Sequence, residues 1–199
     1  MGAALCIALA FHCYMLMAWI VLPALALSWL LLWKRPLRTR LIDLALAFTV
    51  SICGSLTWLV ITAMTPTSSR PYVGGTLSNS PWEMVFGYNG LGRFSLTARL
   101  AKTQDAFLFR TFIPPFGGRP GPARLFDDGL AGQIAWLLPV RVIGVWVLLL
   151  DAKRHKRADD RAVLIFHTVW LVCFATVLSL VSGLHQFYAA PLAIPMAYL

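Results

Sequence analysis

The chain has 199 residues, 59% of them hydrophobic and only 13% charged, with a mean hydropathy of +0.72. Soluble domains carry about 25% charged residues, so a water-soluble globule is excluded and lipid is the expected solvent. The net charge of +9 sits at the ends of apolar segments, which fits membrane topology and anionic headgroups and gives no reason to expect a nucleic-acid partner.

Residues 3 to 33 contain no charge. As one helix they would measure about 46 Å, against a hydrocarbon core of about 30 Å. The run is therefore expected to break near Phe11-His12-Cys13-Tyr14, its polar spot. Residues 15–33 then form one span, with Pro23 as a kink, and residues 1–10 read as the tail of an earlier span. Lys34-Arg-Pro-Leu-Arg-Thr-Arg40 follows, and Asp43 beside it reads as interfacial. A second span covers 41–62. A polar stretch, Thr65 to Gly132, comes next. Residues 133–150 and 162–181 give a third and a fourth span, joined by the basic link 151–161, and 188–199 begins an apolar segment too short to cross.

The expectation is an all-α polytopic membrane protein. It would have about four full transmembrane helices, partial helices at both ends, and one large loop over about 63–132. Both ends read as cut, so the chain is expected to be a fragment. Four basic residues lie in 34–40 and five in 151–161, which places those links in the cytoplasm and the long loop outside the cell membrane. Trp29 and Trp33 near one face, and Trp58 and Trp136 near the other, suit interfacial belts. Cys6, Cys13, Cys53 and Cys173 lie inside apolar runs, form no CxxC pair, and read as small buried hydrophobes.

Chemistry is sparse outside the loop. Gly87-Tyr-Asn-Gly-Leu-Gly-Arg93 sets three glycines around an Asn-Gly turn; glycine allows close backbone approach to a ligand, and an Arg can grip a phosphate with two bonds. An ordinary turn with a solvated Arg fits the same residues. Arg70, Arg93, Arg99, Arg110, Arg119 and Arg124 share the outer side. The outer acids are Glu83, Asp105, Asp127 and Asp128, and the last two read as a helix start whose carboxylates would cap free N–H groups. Arg141 falls within the third span, where a charge costs about 2.5–3.5 kcal/mol on insertion scales. His185-Gln-Phe-Tyr188 lies at the outer end of the fourth span. No His/Asp/Glu cluster has metal-ligand spacing.

Read in order, Ser69-Arg-Pro-Tyr-Val-Gly-Gly75, Asn79-Ser80, Gly87 to Arg93, Phe116-Gly-Gly118, Arg124-Leu-Phe126 and Gly132-Gln-Ile-Ala-Trp-Leu-Leu-Pro139 resemble the actinobacterial branch of glycosyltransferase family 39. These are mannosyltransferase-like proteins related to the aminoarabinose lipid A transferase. Val21-Leu-Pro-Ala-Leu-Ala26 and His185 to Leu199 share the likeness, while 94–115 does not. The resemblance implies many membrane helices around an outward-facing cavity. It also implies transfer of a sugar, such as mannose, from a polyprenyl-phosphate lipid to an extracytoplasmic acceptor. The lipid-linked sugar is then a substrate, membrane lipid is the other partner, and no cofactor or metal is expected. Arg93, with Tyr88 and Asn89, would hold the donor phosphate, while His185 and Tyr188 would line the cavity. The acidic base that the resemblance implies would precede Met1, and Cys13-Tyr14 stands where relatives carry a Thr-Lys pair. The usual His-Pro-Tyr-Tyr is His185-Gln-Phe-Tyr188 here. A fragment inactive by itself, a lipid-binding remnant, and a transporter or channel subunit using Arg141 are the alternatives.

Overall fold

The computed structural model describes residues 1–32, 34–94, 118, 120–133, 135–155 and 158–198. Trp33, Arg99, Asp105, Arg110 and Arg119 lie outside the described residues. The helices are α1 (Gly2–Tyr14), α2 (Leu22–Leu32), α3 (Leu37–Met64), α4 (Asp128–Ala131), α5 (Leu138–His155), α6 (Ala158–Leu180) and α7 (Ala193–Tyr198). Tighter turns of 3₁₀ type cover Met15–Val21, Leu91–Arg93, Arg124–Phe126, Ala135–Leu137 and Gln186–Leu192, and a wider π turn covers Glu83–Tyr88. Among the described residues the strand-like pairing is a single antiparallel bridge, Phe94 with Val181.

Among the described residues, three runs are long and apolar enough to cross a membrane: Gly2–Leu31, Leu37–Met64 and Arg161–Leu180. The third expected span covers 133–150. The helix there begins at Leu138, and its eighteen residues include Arg141, Asp151, Lys153 and Arg154. The long N-terminal run breaks at Met15, whose φ of 49° is costly for a residue with a side chain. Pro23 sits at the start of α2, which follows directly on the 3₁₀ stretch Met15–Val21.

The chain divides into two compact units. The first comprises Met1–Trp19, Leu46–Pro115 and Leu180–Gly183. Here α1 runs beside α3 in the same direction, through small residues. Ser51 Oγ reaches the Ala4 carbonyl at 3.3 Å, and a Cβ added at Gly54 would lie 2.7 Å from Ala8 Cβ. Past the break, Trp19 returns to α3 and donates its indole N–H to Ser55 Oγ at 3.1 Å. Its ring packs 5.0 Å from Phe11. Phe11, Leu59 and Val85 form the buried cluster, with Met15, Leu16 and Trp19 against it.

The first part of the polar stretch is tied down by its own charged residues. Arg70 closes the C-terminal end of α3: Nη2 donates to the Ala63 carbonyl at 3.0 Å and Nε to Thr65 at 3.1 Å, while Nη1 reaches Asn79 O at 2.8 Å. Asn79, at φ 55°, accepts the Val73 N–H on its side chain at 2.7 Å. Glu83 Oε1 accepts the Leu77 N–H at 2.9 Å, and Oε2 accepts the Ser78 N–H at 3.1 Å and the Ser78 hydroxyl. Burial alone would raise the Glu83 pKa, but these three donors outweigh it and hold the carboxyl below its ordinary value.

The second unit comprises Ile20–Ala45, Phe116–Ser179 and Leu184–Leu199. Arg40 donates to the Leu30 carbonyl in the last turn of α2. At the end of α6, Arg124 Nη1 donates to Leu178 O at 3.2 Å and the Gly121 N–H to Ser179 O at 2.8 Å. Arg124 is 1% exposed. Burial lowers its pKa, with the Asp127 charge opposing. His167 on α6 stacks on Tyr198 of α7, with ring centroids 4.4 Å apart. Asp127 does precede a helix, but one of four residues that its side chain does not cap.

Two outcomes follow. Gly54→Ala should destabilise the detergent-solubilised protein by about 1–3 kcal/mol through overpacking on Ala8, and Ala8→Gly in the same chain should recover most of it, read as thermal midpoints in a double-mutant cycle. A carboxyl with a depressed folded pKa stabilises above its unfolded value, about 4.3 for Glu, and loses that contribution as pH falls through the folded value. Amide exchange at Leu77 and Ser78 should therefore accelerate on acidification below about pH 4.3 beyond the intrinsic pH trend, whereas Glu83→Gln should follow the intrinsic trend alone.

Candidate functional site

An open groove of about 590 Å³ lies in the first unit, at the end of α3 that meets the polar stretch. Its base is the buried cluster Phe11, Leu59 and Val85 with Met15 and Met84. Trp58 and Thr62 of α3 and the segment Arg70 to Gly74 complete it. The volume and the mostly apolar lining with a few polar groups suit a small-molecule site. The polar side chains are His12, Thr62, Arg70 and Tyr72. Tyr72 donates its hydroxyl to the Thr76 carbonyl at 2.8 Å. His12 Nε2 lies 3.0 Å from the Gly54 carbonyl.

The glycine-rich segment packs at the groove's edge. Asn89 Nδ2 meets Met15 Sδ at 3.1 Å. Gly90 has no room for a side chain: a Cβ would come within 2.5 Å of Phe86 O and 2.8 Å of Leu16 Cδ1. Gly75, at φ 76°, lays bare backbone against the Tyr88 ring, 2.9 Å from where a Cβ would stand. On composition, these glycines could have served a ligand. In the structure Gly75 and Gly90 serve the chain's own close packing.

Arg93 is 8% exposed. Its Nε donates to Tyr88 O at 3.0 Å, Nη1 to Gly183 O at 2.7 Å and Nη2 to Asn89 Oδ1 at 3.4 Å. The guanidinium carbon lies 5.2 Å from the Tyr88 ring centre. Its own carbonyl accepts the Ser182 N–H at 2.6 Å. The structure thus brings Tyr88, Asn89 and Arg93 together, with Arg93 binding the loop to residues 182 and 183.

His185 and Tyr188 belong to the second unit. His185, Phe187 and Tyr188 form a stack of near-parallel rings with centroids 4.9–6.0 Å apart. Phe187 is 59% exposed, the widest open face of the three. Gln133 Nε2 reaches Gln186 Oε1 at 3.5 Å beside it. Arg141 lies in the first turn of α5, half-buried, and its Nε has no partner among the described residues. In the sequence His12 stood out only as part of a break; a histidine in an otherwise apolar run was the signal of something more.

Two proteins of Bacillus subtilis (strain 168) resemble this chain along nearly its whole length. One, named "Putative mannosyltransferase YycA", is 30% identical over 97% of this chain and 39% of its own length. The other, "Putative mannosyltransferase YkcB", is 26% identical over 95% of this chain and 38% of its own length. This chain therefore spans about two-fifths of the length of these relatives. No protein-family model and no solved structure matches it.

Proposed function

We propose that this chain is part of an integral-membrane glycosyltransferase of family 39 type. It transfers a hexose, mannose among the candidates, from a polyprenyl-phosphate donor to an acceptor on the extracytoplasmic side. The observation that carries the reading is the likeness to two proteins with mannosyltransferase names over at least 95% of the chain. The apolar groove beside the Tyr88–Arg93 segment supports it, since a lipid-linked sugar needs an apolar surface next to polar groups.

On this reading Tyr88 and Asn89 present the loop edge to the donor phosphate. Arg93 acts chiefly as the clamp that holds that edge, because three of its N–H groups are directed at protein oxygens. His185 and Tyr188 offer a ring surface and polar edges to sugar or acceptor. The transport reading needs polar residues facing Arg141 within the bilayer, and its position in the first turn of α5 gives it no support.

Membranes containing the full-length protein should release labelled sugar from a polyprenyl-phosphate hexose. Arg93→Lys keeps the charge but cannot span three acceptors, and should cut that release by roughly tenfold or more through loop misplacement. Unchanged release would assign Arg93 no part. A cysteine at the exposed Ser68 should react with an impermeant thiol reagent in intact cells; reaction only after lysis would reverse the topology.

A further inference from the structure

The second unit presents an open aromatic surface with polar groups around it. The short helix α4 is its hub, because the turns Arg124–Phe126, Ala135–Leu137 and Gln186–Leu192 all pack on it. On the last of these turns Phe187 stands exposed. Its ring is nonetheless held. The His185 ring lies 5.0 Å away at 11°, and the Tyr188 ring 4.9 Å away at 28°. Two near-parallel neighbours leave Phe187 little rotamer freedom to lose when something binds.

The rim is built from amides and carboxylates. Gln133 and Gln186 are exposed and share one bond, Nε2 to Oε1 at 3.5 Å. An amide carries two N–H donors and two lone pairs, so that bond uses a fraction of what the pair offers. The exposed charges on α4 and the three turns are Asp127 and Asp128, while Arg124 is buried against the end of α6.

These surroundings sort the candidate ligands. An anionic headgroup, or the phosphate of the donor, would meet carboxylates with no exposed cation on the same turns. A neutral pyranose suits the surface. It is apolar on the face where its axial C–H bonds point, and hydroxylated around its edge. The C–H hydrogens rest on the electron-rich face of an aromatic ring, and the hydroxyls exchange hydrogen bonds with amides and carboxylates. Other exposed rings among the described residues have different settings. Phe48 and Trp146 stand mid-helix among exposed aliphatic side chains. Trp58 and Tyr72 line the groove of the first unit, and Trp82 stacks on Phe86. Tyr198 lies on His167. Trp136, on a turn packed on α4, is the nearest rival.

We infer that Phe187 is the platform on which a pyranose ring of a carbohydrate acceptor lies, with Gln133 and Gln186 at its hydroxyls. The inference rests on the glycosyltransferase reading and gives its acceptor a chemical class, a glycan.

The test uses the full-length protein in lipid nanodiscs, with methyl β-D-glucopyranoside as the probe, a ring with three axial hydrogens on one face. Saturation-transfer NMR should show that face in contact with the protein. Phe187→Leu keeps an apolar side chain and any grip on lipid but has no π face, so affinity for the glycoside should fall about tenfold. Phe187→Trp should retain it. No saturation in the parent protein, equal affinity in Phe187→Leu, or a loss confined to Trp136→Leu overturns the inference and leaves the glycosyltransferase reading standing. In turnover with labelled polyprenyl-phosphate mannose, Phe187→Leu should raise the KM for the glycoside by a similar factor. A rise in the KM for the donor instead overturns the assignment to the acceptor. A parent protein that binds the glycoside but never cleaves the donor overturns the glycosyltransferase reading, and the acceptor role with it.

Discussion

A helix that ends at a membrane surface leaves its last carbonyls without partners, and an unbonded carbonyl near hydrocarbon costs several kcal/mol. In this protein arginine meets that demand repeatedly. Arg40 serves the end of α2, Arg70 the end of α3, and Arg124 the end of α6. Arg93 does the same for the π turn that closes at Tyr88. The guanidinium is well matched to such ends. It offers five N–H groups, keeps its charge when buried, and carries that charge to the negative end of the helix dipole. Each cap also fixes where the following or preceding segment must lie, so the described parts of the polar stretch are positioned by helix ends. The same bonds bear on function, because donors aimed at carbonyls are not aimed at a ligand's phosphate.

The groove follows from a second constraint, close approach between α1 and α3. Ala4, Ala8, Ser51 and Gly54 keep the two backbones near each other, as small residues do where hydrocarbon provides no hydrophobic drive for helices to associate. Beyond this zipper the lining becomes large, with Phe11, Met15, Trp58 and Leu59. The contact is therefore tight at one level and open at the next. The loop from Arg70 to Gly74 borders that opening, and the turn at Asn89 and Gly90 abuts it through Met15 and Leu16.

Much of the helical content was legible from charge-free runs and the basic links between them. The break in the N-terminal run was legible too, since its length exceeded one crossing and His12 marked the place. Over the expected span 133–150 the helix is Leu138–His155, which starts later and continues into the charged residues of the basic link. The site was less readable. The glycines looked like ligand-facing backbone, yet a sequence cannot tell a glycine emptied for a substrate from one emptied for Tyr88 or Leu16. In the same way, Arg93 and Arg70 are identical in sequence to solvated arginines, and only three-dimensional neighbours reveal carbonyls at their N–H groups.

The face α3 turns toward α1 carries Ser51, Gly54 and Ser55, while Leu41, Ile42, Leu46, Phe48 and Ile61 stand exposed. Compared with a helix from a water-soluble protein, this one is inside out. Its Ser51 and Ser55 hydroxyls and the bare backbone at Gly54 point at protein, and large side chains such as Phe48 and Ile61 point at solvent, which here is lipid. A search for the buried stripe by greasiness alone would choose the wrong side of α3, and would treat as interchangeable the very positions that bring His12 to its carbonyl.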